Sequence, residues 1–184
     1  MQQLVSYLRA NPDKLNYATG PLSEYMAAVQ FMKATGTSMV RVPYKGGAPA
    51  MMDLIEGRVH VYFTPLAQGL PQLKSGKIRM MATMMPARAE KAPEVPTMDE
   101  AGVANVDVPN WNGIVAPPRT PQPIAERLSR EIARVTSDPA MRASLAALHL
   151  VAETSANPRE FAAAIGKAEE TWRGFVVEYK IPQE

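Results

Sequence analysis

The groups able to do chemistry in this chain are sparse. Histidine occurs at 60 and 149, and neither has carboxylates at metal-ligand spacing. Cysteine is absent, which excludes disulfides, thiolate metal sites and cysteine nucleophiles. No G-x-S-x-G, H-E-x-x-H or P-loop pattern occurs. Asp53, Glu56, Asp99 and Glu100 fall on predicted helices, where a solvated face is the ordinary role. His60 lies in the alternating stretch Val59 to Phe63, where a structural or surface role outweighs a catalytic one. Nothing points to a general acid–base pair. What remains is hydroxyls and backbone. Thr19-Gly20, Tyr44-Lys45-Gly46-Gly47 and Thr64-Pro65 each follow a predicted strand and precede a predicted helix. Helix N-termini expose unpaired N–H groups and partial positive charge. Several aimed at one cleft could hold a carboxylate. Thr19, Tyr44 and Thr64 would add hydroxyls and Lys45 charge, while Gly46-Gly47 by itself is only a turn signal. The plainer reading is that these loops only turn the chain.

The elements that would position them centre on Met39 to Phe63. Met39 to Pro43 is a short β-branched run, and Pro49 suits the first turn of a helix. Ala50 to Glu56 are good helix formers, and Gly57 is the expected left-handed stop. This predicts a βαβ unit whose strands are parallel neighbours, with ligands beyond their carboxyl ends. Upstream, Leu4, Val5 and Leu8 mark an amphipathic helix ending near Asn11-Pro12. Leu15 to Ala18 is strand-like, and a second helix opens with Pro21 as its first residue, Glu24 near its positive end and Gly36 as its stop. Downstream, a helix over Leu66 to Lys74 ends at Gly76, and Ile78 to Met84 reads as a strand buried on both faces. Thr97 to Ala101 is a helical turn ended by Gly102. Val106 to Val108, Trp111 to Ala116 and His149 to Glu153 read as short strands.

The C-terminal third is helical. Thr120-Pro121, Asp138-Pro139 and Asn157-Pro158 each pair a capping residue with proline, and Asn157 with Glu160 resembles a capping box. Ile124, Leu128, Ile132 and Val135 form one apolar stripe; Phe161, Ile165, Ala168, Trp172, Phe175 and Tyr179 form another. Both read as packing faces. The apolar fraction of 46% fits a globular chain, and the net charge of +2 is scattered rather than gathered in a nucleic-acid-binding stripe. No apolar run approaches the roughly 20 residues of a membrane span.

The runs VPYKGGAPAMMDLIEGRV, VYFTPLAQGLPQLKSGKIRMMA, PEVPTMDEAGV and WNGIVAPPRTPQPIAERLSREI resemble, in order and spacing, the tripartite tricarboxylate transporter substrate-binding proteins, also called Bug-type periplasmic receptors. The resemblance extends from LVSYLRANPDKLNYA to the final helix. It implies an α/β, type II periplasmic binding fold: a mostly parallel sheet flanked by helices, in two lobes with a cleft between them. It also implies capture of a small organic anion, a di- or tricarboxylate or related carboxylate, for delivery to membrane permease subunits. No enzyme activity, cofactor or nucleic acid is expected, and the location would be periplasmic, although no signal peptide is legible.

Against the family pattern, roughly the N-terminal third is expected to be missing. Residues 1–105 would then form the second lobe, and 106–184 the crossover strand and C-terminal helices of the first. The loop after the Asn16-Tyr17 pair is shorter than usual, with Tyr25 or a neighbour near the family's customary histidine. Ligand contacts are expected from Tyr44, Lys45, Gly46 and Thr64, with Gly46 permitting close backbone approach, and from Thr19 and Gly20 of the shortened loop. A truncated chain would leave apolar surface uncovered, so a homo-oligomer is expected. The alternative is a non-binding remnant that acts only as an oligomeric structural or interaction protein.

Overall fold

The computed structural model describes residues 1–106, 108, 112–147, 150 and 152–179. The chain forms two compact units, Met1–Asn110 and Trp111–Glu184. In the first, α1 (Gln2–Ala10), β1 (Asn16–Thr19), α2 (Leu22–Thr35), β2 (Val40–Pro43), α3 (Gly47–Ile55), β3 (Val61–Tyr62) and α4 (Leu66–Lys74) follow in order.

The sheet runs β2-β1-β3, and both pairings are parallel. The expected β2–β3 neighbours are therefore separated by β1, which pairs Asn16 to Val40 through Thr19 to Pro43 on one side and Tyr17 to Val61 on the other. Burial explains the order. Tyr17, Ala18 and Thr19 are all buried, as a strand covered on both faces requires. β2 is largely exposed and ends in Pro43, which suits an edge.

Alternation along β1 sends successive side chains to opposite faces. Tyr17 joins the main core, with Val5 and Leu8 of α1, Ala27, Ala28 and Phe31 of α2, Phe63, Met98 and Val103. Ala18 joins a smaller cluster with Ala50 of α3 and Val59. Helices thus cover both sheet faces. The Phe31 and Phe63 rings lie 5.5 Å apart in a tilted pair at the centre of the larger cluster. A third cluster, Leu70, Ala92 and Val95, packs under α4.

Several expected elements differ. Pro21 precedes α2 in extended conformation rather than forming its first residue. Ile78 to Met84 is not a strand; only Thr83 forms an isolated bridge, to Thr97. Its apolar side chains pack loosely instead, with Met80 against the Leu70 cluster and Ala82 and Met84 against the main core. Val106 and Val108 are irregular, as are exposed residues 112–116; Asp107 and Trp111 lie outside the described residues. Of the stretch from His149 to Glu153, residues 149 and 151 lie outside them too, and the others are irregular.

The second unit contains α5 (Gln122–Ser137), α6 (Pro139–Ala147) and α7 (Pro158–Glu178). Asp138 caps α6 by accepting from the N–H groups of Ala140 and Met141. Asn157 accepts from the N–H of Glu160, whose carboxylate accepts from Ala156. Thr120 does not cap α5; its hydroxyl donates to the Pro117 carbonyl, and α5 starts after Pro121. Along α7, Trp172, Phe175 and Tyr179 meet edge to face. No described residue of these three helices is buried, and Ile124, Leu128 and Val135 of the α5 stripe are exposed. Among the described residues no helix is long and apolar enough to cross a membrane.

Candidate functional site

Because the strands are parallel, Thr19, Pro43 and Tyr62 end at one edge, and the following loops open there. Contacts draw the loops together. The Tyr44 N–H donates to the Thr19 carbonyl at 2.7 Å. A Cβ on Gly20 would lie 3.7 Å from the Gly46 backbone, so the β1–α2 and β2–α3 loops are neighbours in ordinary packing contact. A Cβ on Gly47 would run into the Gln68 side chain of α4, whose Oε1 also accepts from the Thr64 hydroxyl at 3.2 Å. All six expected residues, Thr19, Gly20, Tyr44, Lys45, Gly46 and Thr64, thus sit at this edge.

Their hydroxyls already have protein partners. Thr19 is 0% exposed, and its Oγ1 accepts from Arg41 Nε at 3.0 Å. The Tyr44 hydroxyl donates to Asp53 Oδ2 at 2.7 Å, and Asp53 Oδ1 accepts from Arg58 at 2.6 Å. The hydrogen bond to Asp53 is the main cause pushing the Tyr44 phenol above its ordinary range. The bonds from Tyr44 and then Arg58 hold the Asp53 carboxyl below the usual carboxylate range. Lys45 and Arg41 are exposed. The first-turn N–H groups of α3, at Gly47 and Ala48, have no helical acceptor, as at any helix start.

Sequence reasoning missed the group that dominates the β1–α2 loop. Glu24 is 6% exposed. Its Oε2 accepts from the Gly20 N–H at 2.7 Å, and its Oε1 accepts from the Tyr62 hydroxyl at 3.0 Å. Burial pushes its carboxyl up, while those two hydrogen bonds pull it back. Burial, with Glu24 nearby, raises the Tyr62 phenol to about 12. The signal was the spacing: an acid four residues past a loop glycine can fold back onto its N–H. Arg41, which also lies over the Tyr25 ring at 4.3 Å, left no comparable mark in the sequence. In the sequence Tyr62, like His60, alternates with Val59, Val61 and Phe63, and nothing there ties it to Glu24.

The Nδ1 of His60 meets Asn16 at the opposite, amino end of the strands, away from the loops. His149 lies outside the described residues. Among the described residues no three His, Cys, Asp or Glu side chains could hold a metal ion. A depression in the second unit, lined by Arg134, Asp138 and Met141 among others, contains an acid already committed to capping α6. The strand edge therefore offers backbone N–H groups, neighbouring loops in packing contact and two exposed cations beside one buried carboxylate. That inventory suits non-covalent retention of a small polar molecule.

The model of the tripartite tricarboxylate transporter family receptor matches residues 1–172. A UPF0065 protein from the tcbD–tcbE intergenic region of Pseudomonas sp. strain P51 is 31% identical over 183 residues, 97% of this chain and 54% of that protein. Among solved structures, Rpa4515 of R. palustris with adipate superposes with a TM-score of 0.88 at 28% identity, covering 98% of this chain and 61% of that one. MatC of Rhodopseudomonas palustris with bound malate gives 0.81 at 27% identity, covering 96% and 61%. The chain thus spans about half the length of the curated relatives it matches. The parallel sheet with helices on both faces is the α/β fold of these periplasmic binding proteins. A family match running through both units, together with a shared fold over almost the whole chain, means that this protein belongs to the tripartite tricarboxylate transporter receptor family.

Proposed function

We propose that this chain is the capturing element of a periplasmic receptor that holds a small organic carboxylate and passes it to the permease subunits of a tripartite tricarboxylate transporter. The observation that carries the reading is the convergence of three strand-to-helix loops at one sheet edge, joined by the Tyr44 to Thr19 hydrogen bond and the Gly20–Gly46 packing contact. Adipate and malate in the solved relatives support the carboxylate class.

Capture needs no cofactor and no covalent step. Backbone N–H groups around Gly46 and Gly47 hold the carboxylate, helped by the partial charge of the α3 N-terminus. Lys45 adds charge from its exposed position. Tyr44 and Thr64 turn their hydroxyls from Asp53 and Gln68 toward the ligand. Thr19 and Gly20 shape the loop floor. In the intact architecture, residues 1–105 form one lobe and residues 106–184 return into the other.

A second reading, an oligomeric interaction protein without a ligand, is favoured by the exposed Ile124, Leu128 and Val135 on α5. A thermal-shift titration with malate, adipate and citrate, run beside light scattering, separates the two. A dose-dependent rise in melting temperature supports capture; at 100 times its dissociation constant a ligand adds about 2.7 kcal/mol. A flat response from a folded sample with a mass above that of one chain supports the second reading.

A further inference from the structure

We propose that Glu24 determines specificity by occupying, from within the chain, the anion position of the β1–α2 loop. The edge then takes a ligand carboxylate only at the β2–α3 and β3–α4 loops, and meets the ligand at Gly20 with a neutral or hydrogen-bond-donating group. This rests on the carboxylate-capture reading.

The geometry is that of a bound anion whose source is the chain itself. A loop N–H at the start of α2 and a strand hydroxyl are the donors a foreign carboxylate would use there. Glu24 takes both, one oxygen to Gly20 at 2.7 Å and the other to Tyr62 at 3.0 Å. One donor comes from the loop after β1 and the other from β3, so the carboxylate is fixed from two sides. Its burial removes the water that would screen it. The approach is tight as well: a Cβ on Gly20 would lie 3.1 Å from Glu24 Oε2. A ligand carboxylate brought to this loop would lose the N–H it needs and face a like charge, which is discrimination by an unfavourable contact. At the other two loops the internal acceptors take side-chain hydroxyls, Asp53 that of Tyr44 and Gln68 that of Thr64, whereas Glu24 takes a loop N–H. At the β2–α3 loop Asp53 is paired with Tyr44 and Arg58, and Lys45 and Arg41 stand exposed.

The test is amide NMR on the full chain, labelled with nitrogen-15 and titrated with succinate. In the wild type, succinate should shift the amides of residues 44–47 and leave Gly20 unmoved. In Glu24→Ala, which vacates the position, Gly20 should shift in a dose-dependent way, and succinate affinity should rise about tenfold as the like charge is removed. Glu24→Gln removes the charge but keeps one oxygen to accept from the Gly20 N–H, its amide NH2 now donating to the Tyr62 hydroxyl oxygen; its rise should be smaller than that of Glu24→Ala, and this variant carries the test if the alanine protein does not fold. A Gly20 shift in the wild type equal to that in the variant overturns the inference, as does a Gly20 amide that stays unmoved in Glu24→Ala with no affinity gain in Glu24→Gln. Wild-type amides 44–47 that ignore succinate, malate and adipate overturn the capture reading instead, while the Gly20 response of the variants still decides the role of Glu24.

Discussion

Residues 1–110 and residues 111–184 are both rich in amphipathic helix, yet they bury it very differently. The first unit closes Leu8, Met26 and Phe31 almost completely. The second leaves every described residue of α5, α6 and α7 at least partly accessible. What separates them is the sheet. A helix has one apolar stripe to bury, and a sheet face gives it a broad, matched surface. In the first unit β1 supplies both faces, Tyr17 toward α1 and α2 and Ala18 toward α3. Among the described residues the second unit has no strand, so it offers its helices no sheet face of its own. The lesson is that amphipathicity names the face that seeks a partner, and supersecondary context decides whether it finds one.

The largest test of this contrast is aromatic truncation. Phe31→Ala removes a fully buried ring packed on Phe63 and should cost about 3–5 kcal/mol. Phe175→Ala, in a half-exposed edge-to-face pair with Trp172, should cost about 1 kcal/mol. Urea unfolding measures both. Both tryptophans, 111 and 172, belong to the second unit, so their fluorescence reports its transition while far-UV circular dichroism reports the whole chain. We expect the fluorescence transition to come first, with Phe31→Ala moving only the later part of the dichroism curve. Equal costs for the two variants would erase the contrast.

Glycine replacement should give opposite signs in the two units. Gly36 ends α2 at φ 61° with open space around it, so Gly36→Ala should destabilise by about 1–2 kcal/mol through backbone strain alone. Gly174 sits inside α7 with nothing nearby to obstruct a methyl group. Gly174→Ala should stabilise by about 0.5–1 kcal/mol. Matching signs in thermal melts would show that α7 is not the regular, solvent-facing helix described.

Cap removal comes next. Asn157→Ala strips the acceptor from the Glu160 N–H and should cost about 1 kcal/mol, read as a lower fluorescence midpoint and an unchanged later transition. A shift of both would mean that the units unfold together.

The smallest effect lies in the first unit and depends on pH. Burial raises the Glu24 carboxyl, so its protonated form favours the folded state. That contribution is fully present below the ordinary glutamate range and is lost as pH rises through the raised folded value. Glu24→Gln should therefore gain stability relative to wild type at pH 7, and the difference should shrink as pH falls toward 4. Tyr44→Phe should do the reverse at Asp53, releasing a carboxyl now held low and raising its titration midpoint in carbon-13 NMR.

Much of this was legible because it is local. Gly36, Gly57, Gly76 and Gly102 all adopt the positive φ expected of helix and turn stops. The α4 boundaries and the Asn157 cap follow from residues within a turn or two of each other. The three loops were located because each strand-to-helix junction carries its own glycine, proline or threonine signal. What failed was long-range. Nothing near Leu15 to Ala18 says that this short run takes the middle of the sheet; that follows from burial on both sides, decided by distant helices. Ile78 to Met84 is apolar enough for a strand, but side-chain packing rather than a ladder claimed it. The Gly20–Glu24–Tyr62 arrangement needs β3 beside β1, a pairing no local pattern encodes.

The strand order also sets a schedule for synthesis. β1 leaves the ribosome first but needs a neighbour on each side, and the second neighbour is made last. Once β2 has emerged and paired, one edge of β1 stays open until Val61 and Tyr62 arrive. An unpaired strand edge is a template for other chains. Through the same interval Glu24 lacks the Tyr62 hydroxyl and stays hydrated. Arrival of β3 closes the edge and dehydrates the acid together, so the final strand acts as the committing step of this unit's assembly.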